Sequence, residues 1–263
     1  MIEQWFTQTE WQGIKFGDLG VRLEPRALAS SGFYTAFYQA LTKKYKTYED
    51  LPAEWKQNKS ETARELARLM PKDALVLSYG AGIGFIEQVL IREYEFTNLS
   101  LWDWAPNSTS YAPKGLLNYV ETLEVTAGQG DQGEYDFIYL AQVLYGMSTP
   151  EAIAFLGGIR PLINAGGGLV LVNTSPNNSE NQGPSAREGV WRRFRASKTA
   201  RPLRVVKRWI RSGLTLGGPS APEQGWGWAR DNEAVSRILL QAGYLDVSFH
   251  SAADQSFVVA TVQ

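Results

Sequence analysis

Three closely spaced glycines have the clearest chemical use in this sequence. Gly80, Gly82 and Gly84 follow the strand-like run that starts at Leu75, and a helix-like segment, Phe85–Tyr94, begins immediately after them. Glycine adopts backbone conformations that other residues avoid, and it has no side chain to hold a ligand away. A strand, a glycine turn and a helix N-terminus in this order predict a site for a nucleotide-like or nucleoside-like small molecule.

A carboxylate follows at a distance that suits a ribose. Asp103 closes the run Asn98–Trp102 and lies 19 residues beyond Gly84. A carboxylate at the end of the second strand, about 20 residues after the turn, accepts hydrogen bonds from ribose hydroxyls. The alternative is an exposed loop aspartate without a ligand.

The glycine spacing separates two kinds of ligand. A dinucleotide site uses G-x-G-x-x-G, and its last glycine lets the helix pack closely on the strand. Counted from Gly80, the sixth position is the bulky Phe85. The pattern G-x-G-x-G therefore favours a ligand without phosphates, whose amino-acid portion lies against the turn.

The elements around these residues alternate between strand and helix patterns. Two helices, Ser31–Tyr45 and Lys59–Met70, precede the first core strand. Strands that are apolar on both faces then alternate with helices, which is typical of a doubly wound parallel α/β sheet. They are predicted at Ala74–Leu77, Leu99–Trp102, Leu123–Thr126, Phe137–Leu140 and Leu169–Val172, with Leu245–His250 and Phe257–Val262 as a closing antiparallel hairpin.

The predicted architecture is a seven-stranded, mostly parallel sheet with an antiparallel last strand and four chain segments. A helical N-terminal cap covers residues 1–72, and a Rossmann-like core covers 73–175. A basic insertion after the fifth strand, at 176–230, would act as a lid. Residues 231–263 supply the closing helix and hairpin of the core.

Composition excludes several kinds of chemistry. Among 263 residues there is no cysteine and one histidine, His250, which excludes thiolate catalysis, disulfides and the common multi-histidine metal site. The formal net charge of −1 gives no overall attraction to nucleic acid or to anionic membranes. Neither a signal peptide nor a membrane span is expected, and a cytoplasmic location is predicted.

These segments resemble the class I S-adenosylmethionine-dependent methyltransferases, which have a Rossmann-like fold. The resemblance rests on the succession Val76–Gly84, Leu101–Pro106, Tyr135–Tyr145 and Leu162–Val172, followed by the closing helix and hairpin. It covers residues 73–173 and 231–263. The resemblance implies S-adenosyl-L-methionine as cofactor. No metal is expected, because the composition lacks the usual cysteine and histidine ligands.

Carried over position by position, the resemblance implies a set of cofactor-binding residues. The turn would hold the methionine portion, Asp103 the ribose, Trp104 the adenine face and Thr126 the adenine edge. The full set is Ser78, Gly80, Ala81, Gly82, Gly84, Asp103, Trp104, Thr126, Ala141 and Gln142. The family usually has an acidic residue where this chain has Ser78, and serine brings no charge. Two outcomes stay open: the cofactor binds more weakly, or another acid substitutes.

Methyl transfer from a sulfonium is an in-line displacement in which positioning and desolvation contribute much of the acceleration. Gln142 and Tyr145, beyond the fourth core strand, are the candidate catalytic residues that orient the acceptor. The alternative for both residues is a purely structural role, at the end of a strand and the start of a helix. The predicted substrate-binding residues are Tyr34, Tyr38, Tyr145 and Trp191, and aromatic faces suit either a cationic amine or a sugar ring.

Basic residues crowd the insertion between Arg187 and Arg211, opposed locally only by Glu188. They predict either a solvated surface paired with acids elsewhere or a site for an anionic acceptor. Nucleic acid is the weakest interpretation, since no recognisable RNA-binding module is present.

The sequence therefore predicts methyl transfer to a nucleophilic O or N of a small molecule such as a sugar, an amine or a natural product. Three alternatives stay open: an RNA methyltransferase using the basic insertion, an NAD-dependent oxidoreductase, and a non-catalytic cofactor-binding homologue. The oligomeric state is open.

Overall fold

A computed structural model describes residues 3–21, 30–105, 118–119, 134–173, 225–252 and 255–263. Thr126, Trp191 and the basic run 187–211 lie outside these ranges, so the roles predicted for them stay predictions.

The N-terminal segment combines strands with helices. Its strands are β1 (Glu3–Thr7), β2 (Glu10–Trp11) and β3 (Ile14–Lys15), and its helices are α1 (Ser31–Lys44) and α2 (Ala53–Leu69). The Ser30 hydroxyl caps α1 by accepting a hydrogen bond from the Phe33 N–H. The start predicted for α2 was wrong: the helix begins six residues earlier, because Trp55 is buried in the core and holds its first turn.

The core begins with β4 (Val76–Tyr79), α3 (Phe85–Tyr94) and β5 (Leu99–Trp102). After the two-residue β6 (Asn118–Tyr119) come β7 (Tyr135–Ala141), α4 (Thr149–Ile159) and β8 (Ile163–Asn173). The chain closes with β9 (Gly225–Arg230), α5 (Asn232–Gln241), β10 (Leu245–Ala252) and β11 (Gln255–Thr261).

The central sheet has the order β10-β11-β8-β7-β4-β5-β6. The strands from β8 to β6 run parallel, whereas β11 is antiparallel to both β8 and β10. The prediction of a mixed α/β fold with a mostly parallel central sheet is confirmed. Strand β1 pairs with β9 in a separate antiparallel ribbon.

Apolar side chains cover both faces of the sheet. On one face, α1, α2 and α3 pack residues such as Phe37, Leu66 and Leu90 against Tyr139. On the other, α4 and α5 pack Leu156 and Leu239 against the sheet. Because β7, β4 and β5 are parallel neighbours, their carboxyl ends lie together at one edge of the sheet, where ligands bind in open α/β sheets. Among the described residues, no helix has the length and apolarity needed to cross a membrane.

Candidate functional site

The glycine turn lies between the end of β4 and the start of α3. Gly80, Gly82 and Gly84 have φ angles of 79°, 61° and 71°, in the left-handed region that other residues rarely adopt. The backbone N–H groups of Gly80 and Ala81 donate to the carbonyl oxygen of Trp102, at 2.8 and 3.1 Å. The turn is thus tied to the end of the neighbouring strand β5.

Asp103 holds the same turn from the side. One carboxylate oxygen accepts a hydrogen bond from the Gly82 N–H at 2.7 Å, and the other accepts one from the Ala105 N–H at 2.8 Å. A carboxylate can accept about four hydrogen bonds, so Asp103 can hold the turn and a ligand hydroxyl together. Gly82 was predicted to contact the methionine portion of the ligand and Asp103 its ribose. These two residues are therefore in direct contact with each other.

Neighbouring side chains pack closely against the turn, and they fit there only because its glycines lack side chains. A Cβ atom on Gly80 would lie 2.7 Å from Cγ2 of Val143, and one on Gly82 would lie 3.0 Å from the Tyr38 hydroxyl. Val143 follows β7, and Tyr38 belongs to α1. Two separate elements thus approach the turn and close it from different sides.

Three tyrosines from two distant segments meet beside the turn. Tyr34 and Tyr38 lie on α1, with ring centroids 6.3 Å apart, and Tyr145 lies in the short 3-10 turn Leu144–Gly146 after β7. The hydroxyls of Tyr34 and Tyr145 are hydrogen-bonded at 2.8 Å. The structure therefore brings together three of the four residues predicted to bind substrate.

Burial makes these phenols harder to ionise than a free tyrosine, which is itself protonated at neutral pH. It raises the pKa of Tyr34 to about 12, and the negative charge of Asp103 acts in the same direction. Burial likewise raises the pKa of Tyr38 and Tyr145 well above the ordinary value, again with Asp103 contributing. The tyrosines can donate and accept hydrogen bonds, but they are poor bases.

A buried carboxylate stands next to Ser78, the position where the resemblance had left a charge missing. The Ser78 hydroxyl donates to Oε1 of Glu87 at 2.5 Å, and the Tyr139 hydroxyl donates to the same oxygen at 2.5 Å. Glu87 lies in the first turn of α3 and its side chain is buried. Residues from β4, α3 and β7 thus form one polar cluster within the core.

The second oxygen of that carboxylate, Oε2, is buried and has no hydrogen-bond partner. Burial raises the pKa of Glu87, whereas the Ser78 and Tyr139 hydrogen bonds lower it. Lys59 on α2 is within electrostatic range, and its pKa is lowered by burial to about 8. An unpartnered buried carboxylate oxygen is costly, and a cation placed beside it would remove that cost.

Backbone strain marks the segment just after β7. Gln142 has a φ of 57°, unusual for a residue other than glycine, and its N–H donates to the Val172 carbonyl oxygen at 3.0 Å. Ala141 is the last residue of β7.

Trp104, directly after Asp103, has 48% of its surface exposed, which leaves its ring accessible to a ligand.

Sequence reasoning missed two residues near this site, Glu87 and Arg230. Glu87 stands in the otherwise mostly apolar run Phe85–Leu90, where an acidic residue near a helix start indicates only a favourable dipole interaction. Arg230 precedes the helix cap Asp231, and nothing in its local sequence indicates burial.

No protein-family model matches this sequence, and no curated protein matches it. Solved structures do match. Human N-acetylserotonin methyltransferase in complex with SAM is 17% identical, with a TM-score of 0.52 over 88% of this chain and 56% of its own. PigF with SAH is 16% identical, with a TM-score of 0.53 over 89% of this chain and 60% of its own.

Magnesium protoporphyrin IX methyltransferase from Synechocystis, with bound SAH, is 14% identical. Its TM-score is 0.50 over 87% of this chain and 94% of its own. The chain spans little more than half the length of the first two proteins. At these identities the likeness concerns the fold: this chain has the fold of class I S-adenosylmethionine-dependent methyltransferases.

Proposed function

We propose that this protein binds S-adenosylmethionine and transfers its methyl group to a nucleophilic O or N of a small molecule. The observation that carries the proposal is the glycine turn held by Asp103 and covered by Tyr38. Fold alone does not determine activity, so the proposal depends on what these side chains can do.

The residues at the turn fit the cofactor's chemical groups. The cofactor carries a ribose, an adenine and a cationic amino-acid portion. Asp103 can accept from the ribose hydroxyls while it holds Gly82. The exposed ring of Trp104 can stack on the adenine, and stacking of a base on an aromatic ring contributes about 1–3 kcal/mol.

Glu87 would replace the charge that Ser78 lacks. Its carboxylate is hydrogen-bonded to Ser78 under the glycine turn, and its Oε2 atom has no partner. An ammonium group beside the turn would favour the ionised form of Glu87. This interpretation opposes the alternative of a cofactor-binding homologue weakened by the loss of the usual acid.

When bound, the cofactor supplies an electrophilic methyl group on a sulfonium. The protein's part is to bind the cofactor, orient the acceptor and exclude water from the site. Tyr34 and Tyr145 remain protonated at neutral pH, so they would orient an acceptor by hydrogen bonds rather than take its proton. Gln142, held by its backbone to β8, is proposed to orient the acceptor as well. Such a site suits a nucleophile that is reactive without a strong base, such as a neutral amine.

The acceptor's charge depends on residues outside the described ranges. The basic run 187–211 supports an anionic acceptor, while the tyrosine rings suit an amine or a sugar. The closing hairpin and the buried Phe85, which packs on Tyr48 with ring centroids 4.6 Å apart, oppose a dinucleotide oxidoreductase. A cytoplasmic location and the domain bounds given above are part of this proposal.

Titration calorimetry with S-adenosylhomocysteine, S-adenosylmethionine and NAD tests the proposal. We expect both adenosyl compounds to bind and NAD not to bind. Asp103→Ala should weaken binding by about 1–3 kcal/mol, because it removes a charged hydrogen-bond acceptor and loosens Gly82. Asp73→Ala, at the opposite end of β4 and exposed, is the matched control. Binding of NAD alone would overturn the proposal.

A further inference from the structure

Arg230 is a buried cation that is hydrogen-bonded to the turn carrying Tyr145. It is the last residue of β9 and only 6% exposed. Its Nη1 donates to the carbonyl oxygen of Leu144 at 2.9 Å, and its Nη2 donates to that of Met147 at 2.6 Å. These carbonyls stand on either side of Tyr145 and Gly146, so one guanidinium holds both ends of the turn.

Glu3 holds the guanidinium of Arg230 in place. Its Oε1 accepts from Nε and Nη2 of Arg230, at 3.1 and 2.9 Å, and from the Thr149 hydroxyl at 2.6 Å. Glu3 lies on β1, which pairs with β9, and Thr149 begins α4. The ion pair is therefore built into the ribbon and anchored to the helix that follows the Tyr145 turn.

The opposite end of Tyr145 reaches into the candidate site. Its hydroxyl is hydrogen-bonded to Tyr34 on α1 at 2.8 Å. Arg230 thus holds the carbonyls on either side of Tyr145, and Tyr34 holds the Tyr145 hydroxyl. Moving the turn would move the hydroxyl relative to Asp103 and Gly82.

We infer that Arg230 is a positioning residue, which sets the place of the Tyr145 hydroxyl in the site through the turn Leu144–Gly146, with Glu3 holding Arg230. The consequence for acceptor orientation rests on the proposed function; the coupling between Arg230 and Tyr145 does not. Arg230 contacts neither the glycine turn nor Asp103 among the contacts of the described residues.

Arginine is required because its donors form a planar fork. Lysine would keep the positive charge beside Glu3, but its ammonium cannot hold two carbonyls and a carboxylate in the same plane. Arg230→Lys therefore separates the geometric role from the charge. Arg237→Lys is the matched control, since Arg237 forms an exposed ion pair with Glu233 on α5.

The test is NMR of the full-length protein labelled with ¹³C at the tyrosine Cζ, with the Tyr145 signal assigned from Tyr145→Phe. In Arg230→Lys we expect the Tyr145 and Tyr34 signals to shift towards those of exposed tyrosines, and Arg237→Lys to leave both in place. Glu3→Gln, which keeps an acceptor oxygen but loses the charge, should give a smaller shift. If Arg230→Lys does not fold, the shift in Glu3→Gln tests the inference on its own.

A folded Arg230→Lys variant with lower thermal stability but unshifted Tyr145 and Tyr34 signals would overturn the inference, because Arg230 would then be only structural. Calorimetry of the unmodified protein with S-adenosylhomocysteine is read separately. If that ligand does not bind, the proposed function fails, while the signals still report whether Arg230 positions Tyr145.

Discussion

The hydroxyl of Ser78 donates a hydrogen bond to Oε1 of Glu87 at 2.5 Å, linking the end of β4 to the first turn of α3. The two residues lie on either side of the glycine turn in the chain and meet beneath it. Tyr139 donates to the same oxygen from the neighbouring strand β7. One carboxylate therefore connects three of the elements that form the site, and its other oxygen has no partner.

Glu87→Gln should weaken binding of a ligand that carries an ammonium group more than one that lacks it. Glutamine keeps an oxygen for Ser78 and Tyr139 but cannot carry the negative charge. We expect affinity for S-adenosylhomocysteine to fall by about tenfold, near the low end for a hydrogen bond to a charged group. Affinity for 5′-methylthioadenosine, which lacks the amino-acid portion, should change little. Calorimetry with both compounds makes the comparison.

Glu93→Gln, an exposed change on the same helix, is the control for that experiment. Equal weakening of the two ligands would show that Glu87 supports the turn as a whole and not the ammonium group.

The same substitution should change how stability depends on pH. Burial raises the pKa of Glu87 above the unfolded value of about 4.3, so between these values the folded chain holds a proton that the unfolded chain has lost. The contribution of Glu87 to stability is therefore complete at low pH and declines as pH rises through the folded pKa. We expect the unfolding free energy of the unmodified protein, relative to Glu87→Gln, to decrease as the pH rises from about 4.3 through the raised pKa of Glu87 in the fold.

Urea unfolding measures that difference at several pH values from about 4 upwards, chosen below the region near pH 8 where Lys59 titrates. A difference that does not vary with pH would mean that Glu87 is ionised in the fold throughout.

The parts of the site that are local in sequence could be predicted, because strand, turn and following carboxylate are set by nearby residues. The glycine turn follows β4, and Asp103 follows β5, as their patterns indicated. In each case the signal and the structure lie within a few residues of each other.

Two features could not be predicted: the hydrogen bonds of Glu87 to Ser78 and Tyr139, and those of Arg230 to the turn Leu144–Gly146 and to Met147. Each depends on residues brought together from separate parts of the chain. Arg230 contacts a loop 83–86 residues earlier and Glu3 at a separation of 227 residues. Trp228 shows the same limit: its ring packs on Trp5 in the β1–β9 ribbon, at 5.0 Å between centroids, and nothing in its local sequence indicates that partner. An aromatic or charged residue does not reveal its partner from local sequence.

Tyr34→Phe should reduce the loss of stability at high pH. Burial raises the pKa of Tyr34 to about 12, so its contribution is complete below the unfolded value of about 10 and declines as pH rises through 12. At neutral pH the variant should lose about 0.5–1.5 kcal/mol, because the hydrogen bond to Tyr145 is removed. Thermal unfolding from about pH 9 to pH 11.5 measures both effects.

Tyr94→Phe, on α3, serves as the control for the removal of a phenol. If Tyr34→Phe and the unmodified protein lose stability in parallel above pH 10, Tyr34 does not titrate as its burial requires.

Gly80→Ala should be the most damaging small change at the turn. Gly80 has a φ of 79°, and an added methyl group would lie 2.7 Å from Val143 Cγ2. We expect a loss of about 2 kcal/mol in the free energy of unfolding from the left-handed backbone and the contact together, with weaker S-adenosylhomocysteine binding. Gly158→Ala on α4, which meets nothing within 4 Å, should instead stabilise the protein by up to about 1 kcal/mol. In Gly80→Ala combined with Val143→Ala, only the contact is relieved, so stability should be recovered in part. Full recovery would show that the φ angle of Gly80 is not needed to build the turn.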